Sequence, residues 1–149
     1  MVALAGVVRT LALAFWIGGI AALDFVDAPA RFALLDRNQA VRVGQALFER
    51  FNRVELALAL VALGAALVAQ SARWTIWVLV LMLAVVVAQA TYLTPAITRL
   101  AHGLDFVHRS HDPRYAAIRP LHTAYTVLEI VLFIGGIAVL AAWARPGRR

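Results

Sequence analysis

The chain has 149 residues, 63% of them hydrophobic and 15% charged, whereas a soluble domain carries roughly 45–50% apolar and roughly 25% charged residues. At 16.2 kDa it has too little interior to hide that much apolar side chain, so most soluble folds are excluded and much of the surface must face lipid. The 14 basic residues are all Arg and outnumber 8 acidic ones for a net charge of +6; set between and beside apolar runs, they meet lipid headgroups, which disfavours a nucleic-acid partner. In chain order, residues 2–23 are apolar apart from Arg9 and Thr10, and Arg9 is close enough to the end to snorkel. No basic residue precedes this run early, and Asp24 and Asp27 follow it in place of a small-residue cleavage pattern, so it reads as a retained helix. Further apolar runs cover 54–70, 75–93 and 121–143, each near the roughly 20 residues that cross about 30 Å of hydrocarbon.

Lipid offers no partner to a bare backbone, so four such runs mean four helices, and the short 71–74 link makes the middle two antiparallel neighbours. The expected fold is all-α, an integral membrane four-helix up-and-down bundle in a single domain. Gly18, Gly19, Gly64, Gly135 and Gly136 mark expected close helix contacts. Two connections, 24–53 and 95–120, are long and lie on one side, with helix two extended back to about residue 38 by its apolar spacing. Nine arginines fall on that side against five on the other, which favours long connections in the cytoplasm, although the basic C-terminal tail pulls the other way.

The polar residues collect at that same end. Asp24 and Asp27 come from helix one, Asn52 and Glu55 from helix two, Gln89, Thr91 and Tyr92 from helix three, and His122, Tyr125, Thr126 and Glu129 from helix four. The last four fall at i, i+3, i+4 and i+7, one stripe of a helix. Glu129 lies eight residues inside its apolar run, roughly 12 Å below the helix entrance, and an acid at such depth is costly and needs a partner. That partner is a proton, an Arg such as Arg119 or Arg53, the His122 imidazolium or a bound cation. Glu55, near Arg50 and Arg53, also fits a solvated acid paired with Arg. The ligand-binding candidates are therefore Glu129, Glu55, His122, Tyr125, Tyr92 and Asn52.

In the second long connection His108, His111 and Asp112 share one helical spacing, a donor set that a divalent metal accepts. Haem would need a second axial His from a loop or another subunit, because only His122 lies inside a span. Without Cys there is no thiolate site or thiol nucleophile, and Ser71 and Ser110 sit in no hydrolase motif; no catalytic residue is assigned. Trp74, Trp77 and Trp143 sit near span ends as interfacial anchors do, with Trp16 the exception.

FWIGG at 15–19, APARF at 28–32, TYLTPAI at 91–97 and RPLHTAYTVLE at 119–129 together resemble the transmembrane protein 205-like family of small four-helix bacterial membrane proteins. By that resemblance Trp16, Gly19, Pro29, Phe32, Phe51, Tyr92, Pro95 and His122 occupy characteristic positions. The family's fold is similar to that of copper-resistance D-like membrane proteins, which implies metal or small-cation handling in an inner membrane by analogy alone. Here the first helix has no His before its WIGG and the only methionines are Met1 and Met82, so soft copper ligands are missing. The expectation is a polar carboxylate and His cavity that binds, and in an oligomer transports, a small cation, metal ion or protonatable ligand. The alternatives are an accessory subunit packing on another membrane protein and a haem- or quinone-linked redox protein.

Overall fold

The computed structural model describes residues 1–108 and 112–145. Four helical rods follow one another: α1 (Val2–Leu34), α2 (Arg37–Val68), α3 (Arg73–Ala101) and α4 (Arg114–Ala144), each long and apolar enough to cross a membrane. With this composition the chain is an integral, multi-pass membrane protein. At 1.5 Å per residue the rods are roughly 43–50 Å long and exceed about 30 Å of hydrocarbon. Their ends therefore stand out of the apolar layer.

The first long connection is almost entirely helix. Rod α1 runs past Asp24 to Leu34, leaving only Leu35 and Asp36 before α2, where Asp36 accepts the Gln39 N–H at 2.9 Å and caps the new helix. Polar residues and proline suggested a loop there, but a proline breaks a helix only if its turn cannot widen. In α1 a π-helical segment, Ala22–Asp27, comes just before Pro29, and in α3 a second one, Gln89–Leu93, comes just before Pro95. Each proline lacks an N–H for the carbonyl four residues back and crowds it, and the wider turn relieves both faults without ending the rod.

Each rod packs on its sequence neighbours and α4 closes back on α1, while the two diagonal pairs stay apart. The inward residues step by three and four: Asn52, Glu55, Ala59, Ala62, Ala66 on α2, Thr75, Leu79, Met82, Val86, Gln89 on α3, and Tyr125, Glu129, Leu132, Gly136, Val139 on α4. This is the 3.5-residue seam of a left-handed bundle. Two of the expected close approaches are real: a Cβ at Gly136 would run into Ile17 of α1, and one at Gly19 would lie 2.6 Å from the Phe51 ring. Gly18 and Gly64 face open space instead.

Different locks hold the two ends. At the short link, Arg9 donates to the Ser71 hydroxyl and lies 4.5 Å over the Trp143 ring, tying α1, the link and α4. At the long-connection side, buried Arg31 pairs with Asp27 at 2.7 Å and donates to the Ala40 carbonyl, its guanidinium filling the space that a Cβ on Gly44 would need. Asn38 donates to Asp105 at 2.9 Å and accepts the Phe106 N–H at 2.6 Å. These bonds tie the α3–α4 connection to the start of α2.

Candidate functional site

The seam of small and branched apolar residues changes character at one level. Going toward the long connections, α2 continues from Ala59 to Glu55 and Asn52, and α4 continues from Leu132 to Glu129 and Tyr125. Heptad spacing carries the two acids into the centre because they occupy the positions that Ala and Leu hold below them. Glu55 is fully buried and Glu129 is 3% exposed. The two carboxyl groups lie near each other across the diagonal.

Each acid takes one donor from the helix before it. Trp16 of α1 donates its indole N–H to Glu55 Oε1 at 2.8 Å, and Gln89 of α3 donates to Glu129 Oε1 at 2.9 Å. Gln89 leaves the π-helical segment of α3, and Asp24, half-buried near the acids, leaves that of α1. The widened turns therefore put polar side chains at this level, a common place for such segments.

A third chain of bonds crosses the bundle. The Tyr125 hydroxyl donates to Asn52 Oδ1 at 3.0 Å, from α4 to α2 along the diagonal, and Asn52 Nδ2 donates to the Thr94 hydroxyl at 2.7 Å. The Tyr125 oxygen also lies beside the Glu129 carboxyl. Two further buried acceptors, Glu55 Oε2 and Gln89 Oε1, have no donor among the described residues. The cluster thus holds more acceptors than donors.

Among the described residues no arginine supplies the missing positive charge. Arg53 is exposed and pairs with Glu49 at 2.8 Å, and Arg119 is exposed on α4. The reading of Glu55 as a solvated acid beside Arg50 and Arg53 is overturned by its burial against Trp16, because one seam step turns it inward and the arginines outward. His122 does not join the acids: it is exposed, near enough to Asp24 to feel its charge. It shares the seam spacing but sits one layer above Tyr125 with its side chain exposed. Thr126, off the seam, is exposed and back-bonds to the His122 carbonyl. Tyr92 is 64% exposed and points away from the cluster. Of the six ligand-binding candidates, the structure brings together Glu55, Glu129, Tyr125 and Asn52.

Trp16 and Thr94 complete the cluster without having been singled out for it, and Gln89, one of the polar residues expected at this end but not among the ligand-binding candidates, joins them. Trp16 carried the signal, since a tryptophan in mid-span must find an acceptor for its N–H when buried. In the α3–α4 connection, His108 Nδ1 meets Asp105 at 2.7 Å and Asp112 is gripped by Arg114 at 2.6 Å. His111 lies outside the described residues, and among those described no three His, Asp or Glu converge as a metal site. The described histidines, His102, His108 and His122, are all exposed. Above the cluster, between α2 and α3, a cleft of about 390 Å³ reaches Asn52 and Thr94 from the long-connection side.

A profile of the family described as Domain of unknown function (DUF4149) matches residues 11–104. That stretch carries most of α1 and all of α2 and α3, with Trp16, Asn52, Glu55, Gln89 and Thr94, and stops before Glu129. No curated protein and no solved structure matches the chain.

Proposed function

The chain belongs to the family described as Domain of unknown function (DUF4149), and we propose that its bundle is a cation-binding device whose centre is the Glu55–Glu129 pair and whose occupant is a proton. The observation that carries this reading is two buried carboxyl groups on diagonal helices, with no cationic side chain paired to them among the described residues and acceptors in excess of donors. A buried acid in that setting is neutralised by whatever positive species can reach it. Two carboxylates and an amide are too few ligands for a divalent metal, which favours four or more. This narrows the small-cation handling that the resemblance to transmembrane protein 205-like proteins implies. Thr94 and Asn52, which line the cleft on one side and are bonded toward Tyr125 on the other, supply a polar path to Glu129. Below the acids the seam is apolar, so uptake and release use one face, and the reading is binding rather than transport by a single chain.

Infrared spectroscopy of the purified protein tests it. The expected result is a protonated-carboxyl absorption that titrates across the physiological pH range and loses intensity in both Glu55→Gln and Glu129→Gln. Absence of that band, or its persistence unchanged in both variants, overturns the reading. A second reading, in which the cluster only fixes helix register for packing on another subunit, is favoured by the bonds from Trp16, Gln89 and Tyr125 that already join all four helices. A band that is present but never titrates would decide for it. Thermal stability measured with metal ions and organic cations completes the test: a stabilisation lost in Glu129→Gln would replace the proton with that ion.

A further inference from the structure

The cleft between α2 and α3 has a chemistry unlike that of the acid pair beneath it. Its rim carries Arg53 and Arg99 against a single acid, Glu49, which is already bonded to Arg53. Arg99 makes no ion pair among the described residues, so the rim keeps one uncommitted positive charge. Hydroxyl groups of Thr94 and Thr98 and the Asn52 side chain line the interior. Guanidinium groups and hydroxyls converging on a volume of about 390 Å³ form a site for a tetrahedral oxyanion, because Arg presents paired N–H groups at the spacing of phosphate oxygens.

The surroundings say how that anion is carried. The cleft lies between two rods that cross the membrane, at the end where they leave the apolar layer, with Ala90 and Pro95 in its wall. Exposed Val54 on α2 and Val87 on α3 lie in the adjoining turns. A phosphate entering from the bilayer meets arginine at headgroup height while its acyl chains stay on apolar surface. Basic pockets between membrane helices hold anionic lipids by this division of labour.

We propose that the α2–α3 cleft is a binding site for an anionic glycerophospholipid, with Arg99 and Arg53 holding the phosphate and Thr98 donating to it. The proposal does not rest on the proton reading: Asn52 and Thr94 line both the cleft and the polar path, but the phosphate contacts are Arg99, Arg53 and Thr98, and the site stands if the acid pair is merely structural. The experiment is thermal unfolding of the full chain in a neutral detergent, titrated with dihexanoyl phosphatidylglycerol, dihexanoyl phosphatidylcholine or inorganic phosphate. Phosphatidylglycerol is expected to raise the midpoint saturably, with phosphatidylcholine and inorganic phosphate giving much smaller shifts. Arg99→Gln is expected to raise the half-saturating concentration about tenfold, the scale of one lost charge-assisted contact. Arg99→Lys keeps the charge but not the paired donors and falls between, while Arg37→Gln, outside the cleft, matches wild type. Because Arg99 is exposed, its variants are expected to fold. Equal shifts from the two lipids, a wild-type response in Arg99→Gln, or inorganic phosphate alone reproducing the full shift would each overturn the proposal.

Discussion

The two halves of the bundle use one seam for opposite purposes. In the half toward the short link, Ala59, Ala62 and Ala66 face Leu132, Gly136 and Val139 with Leu13, Ile17, Leu79 and Met82 between them, and stability there is a matter of fit. In the other half the same seam positions hold Asn52, Glu55, Tyr125 and Glu129, where stability depends on each donor meeting an acceptor. Lipid tails are as apolar as a leucine core, so the first half gains from dispersion and close approach and little from leaving water. The second half binds its helices by polar contacts that only one register satisfies. Fit and register are thus separated along the bundle, which leaves the polar half free to hold a titratable pair.

The sharpest way to break the comparison is to overfill the apolar half. Gly136→Leu would drive a side chain into buried Ile17; overpacking of this kind costs about 1–3 kcal/mol or more. It is expected to lower the thermal midpoint in detergent more than any single polar substitution. Next comes Trp16→Phe, which keeps the aromatic bulk but leaves Glu55 with no donor on either oxygen. An unsatisfied buried acceptor costs about 1–3 kcal/mol, whereas replacing both partners by apolar groups of similar shape is nearly neutral. The double variant Trp16→Phe with Glu55→Met is therefore expected to recover most of the loss. A double-mutant cycle without that recovery would show that Trp16 acts by packing alone, and the two halves would then obey one rule.

Tyr125→Phe is a smaller intervention. It removes the diagonal bond to Asn52 and the oxygen beside Glu129 while the ring keeps its edge contact with Phe48 at 5.4 Å. One neutral hydrogen bond contributes about 0.5–1.5 kcal/mol. The expected result is a modest drop in thermal midpoint together with a shifted carboxyl absorption of Glu129, the second effect marking Tyr125 as its neighbour in solution.

Much of this contrast was legible in the sequence. Four apolar runs separated by arginine gave the rods, and the crowding of acids, Asn and Tyr at one end placed the polar half. A 3.6-residue stripe was too broad a template for what followed: it admitted Thr126, which the 3.5-residue seam leaves outside, and His122, which keeps the seam spacing one layer above Tyr125 but is exposed. Which residues lie on the seam is fixed by the partner helix, a tertiary fact. Continuation of α1 through Pro29 was hidden for a related reason, since a π turn has no composition of its own and looks locally like a helix end. Glu55 was masked by its neighbours, because Arg50 and Arg53 suggest a solvated acid until the helix is given a rotation.

The smallest expected effect lies outside the membrane, in the connection that the polar half supports. Asp105 is held below the ordinary carboxylate range, first by the Asn38 amide, then by His108 and by the N–H groups of Val107 and His108. An acid depressed in the folded state stabilises the fold fully above its unfolded value, about 3.9, and loses that contribution as pH falls through the lower folded value. The Val107 and His108 amides, both bonded to Asp105, should therefore keep their protection from hydrogen exchange, corrected for intrinsic rates, from neutral pH down to about 3.9 and lose it below. In Asp105→Asn they should be less protected throughout and show no such step. Because Asn38 sits at the start of α2, this substitution should leave the midpoint for thermal unfolding of the bundle almost unchanged. A large drop would mean that the anchor from the connection, and not the diagonal bond between Tyr125 and Asn52, sets the register of α2 against α4.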